Sequence, residues 1–222
     1  MKNIAKSLVV AGALALTGVA SAAMEDMGLY LGADYKHNWM TSKSFIETNG
    51  TWFAKSYPGA SLYVGSRFHE NFGVELGYDF SKKKSKALTF NPFAAGQNQI
   101  KSTASFRGPR LDLNAYMPMD NCFDLIGSIG FGLVKPTISF SNVNMTAANF
   151  DRNYADVSGK QKMVLRLGFG AQYMATENIG VRGMIRLENT SSLRANGANL
   201  TDAGKKPFKD TTSLNLGAFY KF

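Results

Sequence analysis

The sequence predicts an all-β protein: a cleavable signal peptide over residues 1–22, then one eight-stranded, closed, antiparallel up-and-down transmembrane β-barrel over residues 23–222. Three observations predict it. The N-terminus is ordered like a secretory signal, apolar and polar residues alternate with period two through most of the rest, and the connectors between alternating segments are long and short by turns.

The signal is read from Lys2 and Lys6, an apolar run from Leu8 to Leu16, and the small residues Thr17-Gly18-Val19-Ala20-Ser21-Ala22-Ala23. Ala20 and Ala22 stand third and first before a cut after Ala22, and a cut after Ala23 also satisfies the small-residue rule. The apolar run is shorter than the roughly 20 residues of a spanning helix, and nothing later in the chain is longer. About 200 residues remain, which is the size of a single β domain. Losing Lys2 and Lys6 lowers the formal net charge from +9 to +7, which favours anionic partners. Export argues against nucleic acid, leaving lipopolysaccharide phosphates as the first anions such a protein meets. Cys122 is the single cysteine, so no internal disulfide forms.

Strands are predicted at about 27–36, 60–68, 72–80, 106–117, 123–134, 163–174, 179–188 and 213–222, most near the nine to eleven residues of a tilted spanning strand. The clearest is Phe72 to Phe80, whose even positions are all large and apolar while its odd ones are Gly73, Glu75, Gly77 and Asp79. The connectors at 36–59, 81–105, 135–162 and 189–212 are long, and those at 69–71, 118–122 and 175–178 are short. Four long loops and three short turns are what an even-numbered barrel with both termini on the periplasmic side requires.

Aromatic girdles agree with this placement. Phe68, Phe72, Phe123, Tyr173, Tyr220 and Phe222 stand outward beside the short turns, while Tyr35, Tyr78 and Phe80 form a thinner belt at the other end. Between them the outward set is uncharged and includes Leu62, Val74, Leu76, Leu111, Leu113, Ile129, Phe131, Leu167 and Leu216. Lipid is the solvent that suits it. The chain ends on the alternating strand Leu214 to Phe222, and its outward Tyr220 and terminal Phe222 resemble the signal read by the barrel-assembly machinery of the Gram-negative outer membrane.

By the same parity Arg67, Glu75, Asp79, Arg110, Asp112, Arg166, Arg182, Arg186 and Glu188 point inward. An eight-stranded barrel is only wide enough for side chains to fill it, so these charges must pair. Glu75 and Arg182 each stand three residues above the start of their strands, which places them at similar depth as a central ion pair. Arg67, diagonal to Glu75, is expected to compete for its carboxylate. At the opposite end Lys82, Lys83, Lys84 and Lys86 follow the third strand, where lipopolysaccharide phosphates would lie.

Asn71-Phe72-Gly73-Val74-Glu75-Leu76-Gly77-Tyr78-Asp79 and Thr176-Glu177-Asn178-Ile179-Gly180-Val181-Arg182 resemble segments of the transmembrane domain of outer membrane protein A and of the related outer membrane protein X-like barrels. The resemblance implies that Glu75 and Arg182 correspond to the family's interior salt-bridge switch. It covers the barrel alone, with no peptidoglycan-binding domain, so no anchor to the cell wall is implied. Two positions depart from it. Asn114 stands where the family has an interior Lys and Gln172 where it has a second interior Glu, which puts the family's alternative pairing in question.

The function expected is that of an integral outer-membrane barrel with a structural and surface-interaction role. Its partners would be outer-membrane lipid and lipopolysaccharide, with periplasmic chaperones and the assembly machinery during biogenesis. A narrow ion-conducting pore is the alternative. A lipid A-modifying enzyme is a further one, but its chemistry needs a nucleophile, base and orienting acid at one rim. His37 and His69 fall at opposite ends, so His37 near Ser42 or Ser44 is the sole candidate and the chain is read as no enzyme. No metal cluster, P-loop or dinucleotide fingerprint occurs, and no cofactor is expected.

Overall fold

The computed structural model describes residues 28–42, 53–90, 98–142, 157–158, 161–190 and 208–222. The expected signal peptide and parts of the four long connectors lie outside them. The strands are β1 Gly28–Ser42, β2 Ser56–His69, β3 Phe72–Ser81, β4 Lys84–Phe90, β5 Asn98–Pro118, β6 Phe123–Asn142, β7 Val157–Ser158, β8 Lys162–Met174, β9 Ile179–Glu188 and β10 Phe208–Lys221.

Eight of them form a closed ring in the order β1-β2-β3-β5-β6-β8-β9-β10, and β10 returns to pair with β1. All pairs in the ring are antiparallel. Closure matters because an open sheet edge in hydrocarbon leaves peptide groups without partners. Outward side chains stack in rows around the wall, such as Val64, Leu76, Leu111, Phe131 and Leu165 across five neighbouring strands. A second row holds Val74, Leu113, Ile129, Leu167 and Leu187. These large apolar side chains stand half-exposed on the outside, a surface that water would penalise and lipid tails accept.

At the short-turn end, hydroxyl and carboxylate side chains close the turns. Asp120 Oδ1 accepts from the backbone N–H groups of Cys122 and Phe123, at 2.7 and 3.0 Å. Thr176 Oγ1 likewise accepts from Ile179 N at 2.9 Å. Asn178 Nδ2 donates to the carbonyl of Lys221 at 2.9 Å and ties the last strand to this rim.

The opposite end departs from the sequence reading. β5 and β6 run for 21 and 20 residues, about twice what a tilted spanning strand needs. Their far halves pair from Arg107↔Lys135 to Ile100↔Asn142. β4 flanks them on one side and β7 on the other, so a four-stranded sheet projects beyond the barrel. The connectors expected at 81–105 and 135–162 are therefore partly strand. The expected loop Lys82 to Lys86 is a break at Lys82-Lys83 followed by the start of β4. The physical reason is a change of solvent. Past the lipid zone the outward residues become Lys101, Thr103, Ser105, Thr137 and Ser139, so the apolar–polar contrast that marks a strand fades while the hydrogen-bond ladder continues.

Candidate functional site

The barrel interior is built in layers, and glycine makes room for each. Nearest the short turns, Tyr30 lies directly opposite Gly65, and Tyr63 opposite Gly32. A Cβ on Gly32 would come within 2.3 Å of the Tyr63 ring, and one on Gly65 within 2.2 Å of the Tyr30 ring. Alternating large with small residues is how a narrow barrel is filled without strain. Tyr30 packs edge-on against Tyr63 and Phe219 with ring centres 6.2 and 5.8 Å apart, and its hydroxyl lies 3.1 Å from that of Tyr116.

The middle layer centres on Glu75 and Arg182. β3 and β9 stand on opposite sides of the ring, and the long guanidinium reaches across so that Arg182 Nη1 lies 2.5 Å from Glu75 Oε2. Nη2 also donates to Glu75 Oε1 at 3.2 Å and to Asp34 Oδ2 at 2.7 Å, and Nε donates to Asp34 Oδ1 at 3.2 Å. Asp34 sits on β1, two strands from Arg182, with only Gly217 between them in the same row. A Cβ at Gly217 would lie 2.2 Å from Asp34 Oδ1, so glycine there leaves the space the pair occupies. The face of the Arg182 guanidinium lies 3.6 Å from the centre of the Tyr63 ring, adding a cation–π contact.

Arg110 binds the second Glu75 oxygen at 2.5 Å and also contacts Asp112 and, at 3.1 Å, Asp79. The side chains of Glu75 and Arg110 have no solvent-accessible surface at all. Above them Lys36 Nζ bridges Asp79 and Glu188 at 2.7 and 2.6 Å, and Arg166 reaches the same two carboxylates at 3.0 and 3.4 Å. Arg186 is the exception. Its nearest carboxylate oxygens, on Asp112 and Glu75, are 3.7 and 3.9 Å away, and its Nε and Nη1 have no hydrogen-bond partner.

At the outer end Met40, Phe53, Tyr57, Ala104, Ile138, Val164 and Phe208 form an apolar cap, with Phe106 and Val134 packed against it. The lumen is thus occupied in layers by aromatics, then charge, then aliphatic and aromatic side chains, with a small cleft lined by Lys36, Asp79, Arg166 and Glu188 of the charged layer and Met40 and Phe106 of the cap.

Of the residues expected inside, Glu75, Arg182, Arg110, Asp112, Asp79, Arg166, Arg186 and Glu188 meet in this one network. Arg67 does not compete for Glu75. It pairs with Asp124 at 2.8 Å, donates to the Glu70 carbonyl and lies over the Tyr116 ring, because its row is one step nearer the turns. Asp34, Lys36 and Asp124 were missed. With them the ion-paired groups of the described residues are six acids and six bases, so the filling is neutral. Parity alone places Asp34 and Lys36 inside, since Tyr35 between them is outward. Asn114 is buried against the hydroxyls of Tyr30 and Tyr116 rather than a carboxylate, and Gln172 donates to Asp124 at 2.8 Å.

On the outer surface, His37 Nε2 lies 2.8 Å from Ser56 Oγ and Nδ1 3.2 Å from the Tyr35 hydroxyl. Ser44 and the side chain of Ser42 lie outside the described residues. Lys82, Lys83 and Lys84 are exposed and Lys86 is half-buried. At the C-terminus Tyr220 and Phe222 pack edge-on with ring centres 5.2 Å apart, and Phe222 N donates to the Leu29 carbonyl at 2.9 Å.

A closed barrel with an apolar outside and a charged inside defines an integral membrane β-barrel. The chain belongs to the family described as outer membrane protein beta-barrel domain, whose model matches residues 8–222. No curated protein matches the sequence. Among solved structures it is similar to Neisserial surface protein A, at 12% identity over 89% of this chain and 100% of that one, with a TM-score of 0.50. It is similar also to the attachment invasion locus protein of Yersinia pestis, solved with the heparin analogue sucrose octasulfate, at 15% identity over 88% and 99% and TM-score 0.50. A major outer membrane protein of Thermus thermophilus matches at 14% identity over 89% and 100%, again at 0.50. At such identities the likeness is one of fold.

Proposed function

We propose that this outer-membrane barrel is a non-conducting, non-enzymatic structural protein. In this reading it stabilises the outer leaflet and presents its four long loops and projecting sheet to the outside. Both termini are periplasmic, the signal peptide 1–22 having been removed. Tyr220 and Phe222 are the feature read by the barrel-assembly machinery after delivery by periplasmic chaperones. Lys82, Lys83, Lys84 and Lys86 are the groups that meet lipopolysaccharide.

One observation carries the reading: the lumen holds a neutral set of charges, closely paired except at Arg186, whose central members, Glu75 and Arg110, are out of reach of water. Ions would have to break several buried pairs to pass, and each broken pair leaves an uncompensated charge. Against catalysis, each ring nitrogen of His37 faces a hydroxyl, and among the described residues no carboxylate orients it.

The test is planar-bilayer recording of the purified, folded protein. Silence in symmetric salt supports a filled lumen, and reproducible unitary steps would establish the pore instead. Mass spectrometry of lipid A from cells with and without the protein tests the enzymatic alternative, with identical spectra expected.

A further inference from the structure

The register of β3, β5 and β6 places Phe80, Arg107 and Lys135 in a single outward row. The outward run on β5 below it, from Met117 through Leu113 and Leu111 to Pro109, is uncharged. It extends about 27 Å along the strand, or about 20 Å along the membrane normal at a tilt of about 40°. A barrel's apolar band is about 25 Å tall, so Arg107 and Lys135 are the first charges beyond its edge.

Their arrangement is unusual. Like charges directly opposite on neighbouring strands repel, yet Arg107 and Lys135 are register partners, both are exposed, and neither side chain has an ion-paired or hydrogen-bonded partner among the described residues. Lys82 and Lys83 stand at the break that ends β3, and Lys101 and Thr103 continue the same face of β5 outward. No acid lies on this face of the three strands among the described residues. The exposed Asp210 belongs to β10, across the ring. The far side of the same belt, on β1, carries Tyr35, His37 and Trp39.

From this we infer that Arg107 and Lys135 form a phosphate clamp for a phosphorylated glycolipid of the outer leaflet, whose acyl chains lie against the Leu76, Leu111 and Phe131 row two outward steps below, beyond Tyr78 and Pro109. The inference deepens the proposed function and rests on its reading that the long-loop end meets the outer leaflet. An anion between the two cations removes their repulsion. The planar guanidinium can hold two phosphate oxygens while the ammonium supplies a point charge. A ligand with both phosphate and hydrocarbon fits a site with cations at its rim and an apolar wall beneath. A free anion would use only the first.

The experiment is native mass spectrometry of the folded protein released from nanodiscs of a zwitterionic lipid doped with bisphosphorylated lipid A or its dephosphorylated form. The wild type should retain the phosphorylated lipid and not the other. Arg107→Gln with Lys135→Gln should lower retention by about thirtyfold, taking the usual worth of two cations near an anionic surface. Arg107→Lys with Lys135→Arg should keep it, and heat-modifiable gel mobility verifies that each variant is folded. Lys55→Gln, an exposed cation elsewhere, should change nothing. An equal loss in Lys55→Gln, equal retention of the dephosphorylated lipid, or displacement by millimolar inorganic phosphate would each overturn the clamp. Nanodisc retention does not depend on orientation in the cell, so a reversed topology, seen by labelling intact cells, would sink the proposed function without deciding this result.

Discussion

Arg182 and Arg186 lie four residues apart on one strand and both are buried, yet they do different amounts of pairing. Arg182 shares its guanidinium between Glu75 and Asp34 and lies flat on Tyr63. Truncating it leaves two carboxylates short of a partner, so Arg182→Met should cost roughly 3 to 5 kcal/mol. Arg186 makes only long contacts and leaves two nitrogens without acceptors. Arg186→Met removes a poorly compensated buried charge and should cost less than about 1 kcal/mol or even stabilise, since apolar replacement of a weak buried pair often does. Denaturant midpoints in detergent compare the two directly, and equal losses would mean that the lumen does not discriminate between them. In the same assay Glu75→Ala should cost roughly 3 to 5 kcal/mol. Adding Arg182→Ala should cost less than the two single losses summed, because the Glu75–Arg182 pair is lost only once, but it should not restore the wild-type midpoint, since Asp34 then loses its guanidinium.

β5 passes through two solvents along its 21 residues. Leu113 and Thr103 point to the same side of it, one against lipid and the other on the projecting sheet. Leu113→Arg should cost roughly 2 to 4 kcal/mol and slow assembly, because a charge near the midplane has no water. Thr103→Arg should change neither. Insertion yield into outer-membrane fractions measures both, and similar defects would show that the sheet beyond Arg107 is not in water. The inward face of this strand tolerates little as well. Asn114 is 2% exposed between two tyrosine hydroxyls, so a larger side chain there meets packed neighbours rather than a roomy channel.

For the whole molecule, the single cysteine is a natural topology probe. Cys122 is exposed in a turn at the short-turn end, and Lys83 is exposed at the other. A membrane-impermeant maleimide should label Lys83→Cys in a Cys122→Ser background on intact cells. In the wild type it should label Cys122 only after the outer membrane is permeabilised. The opposite pattern would invert the proposed orientation. Ring closure also predicts that the protein stays folded in unheated detergent and shifts its gel mobility on boiling, as a molecule with no free sheet edge in the lipid zone should.

The amino-acid sequence by itself determined the eight barrel strands, their short-turn ends to within about a residue, and which side chains face lipid. Inside a membrane every outward position must be apolar, while a narrow interior collects small and polar residues, so alternation has its full amplitude from Phe72 to Phe80 and again from Ile179 to Glu188. Beyond the Glu75–Arg182 pair, which equal depth on the strands anticipates, only the tertiary structure decided who pairs with whom. Contacts across a ring depend on stagger, on side-chain reach and on gaps such as the one at Gly217 that lets Arg182 meet Asp34, none of which has a period in the sequence. It also decided that strands continue beyond the membrane, because a sheet in water needs no apolar face outward and its alternation fades where Arg107 and Lys135 begin.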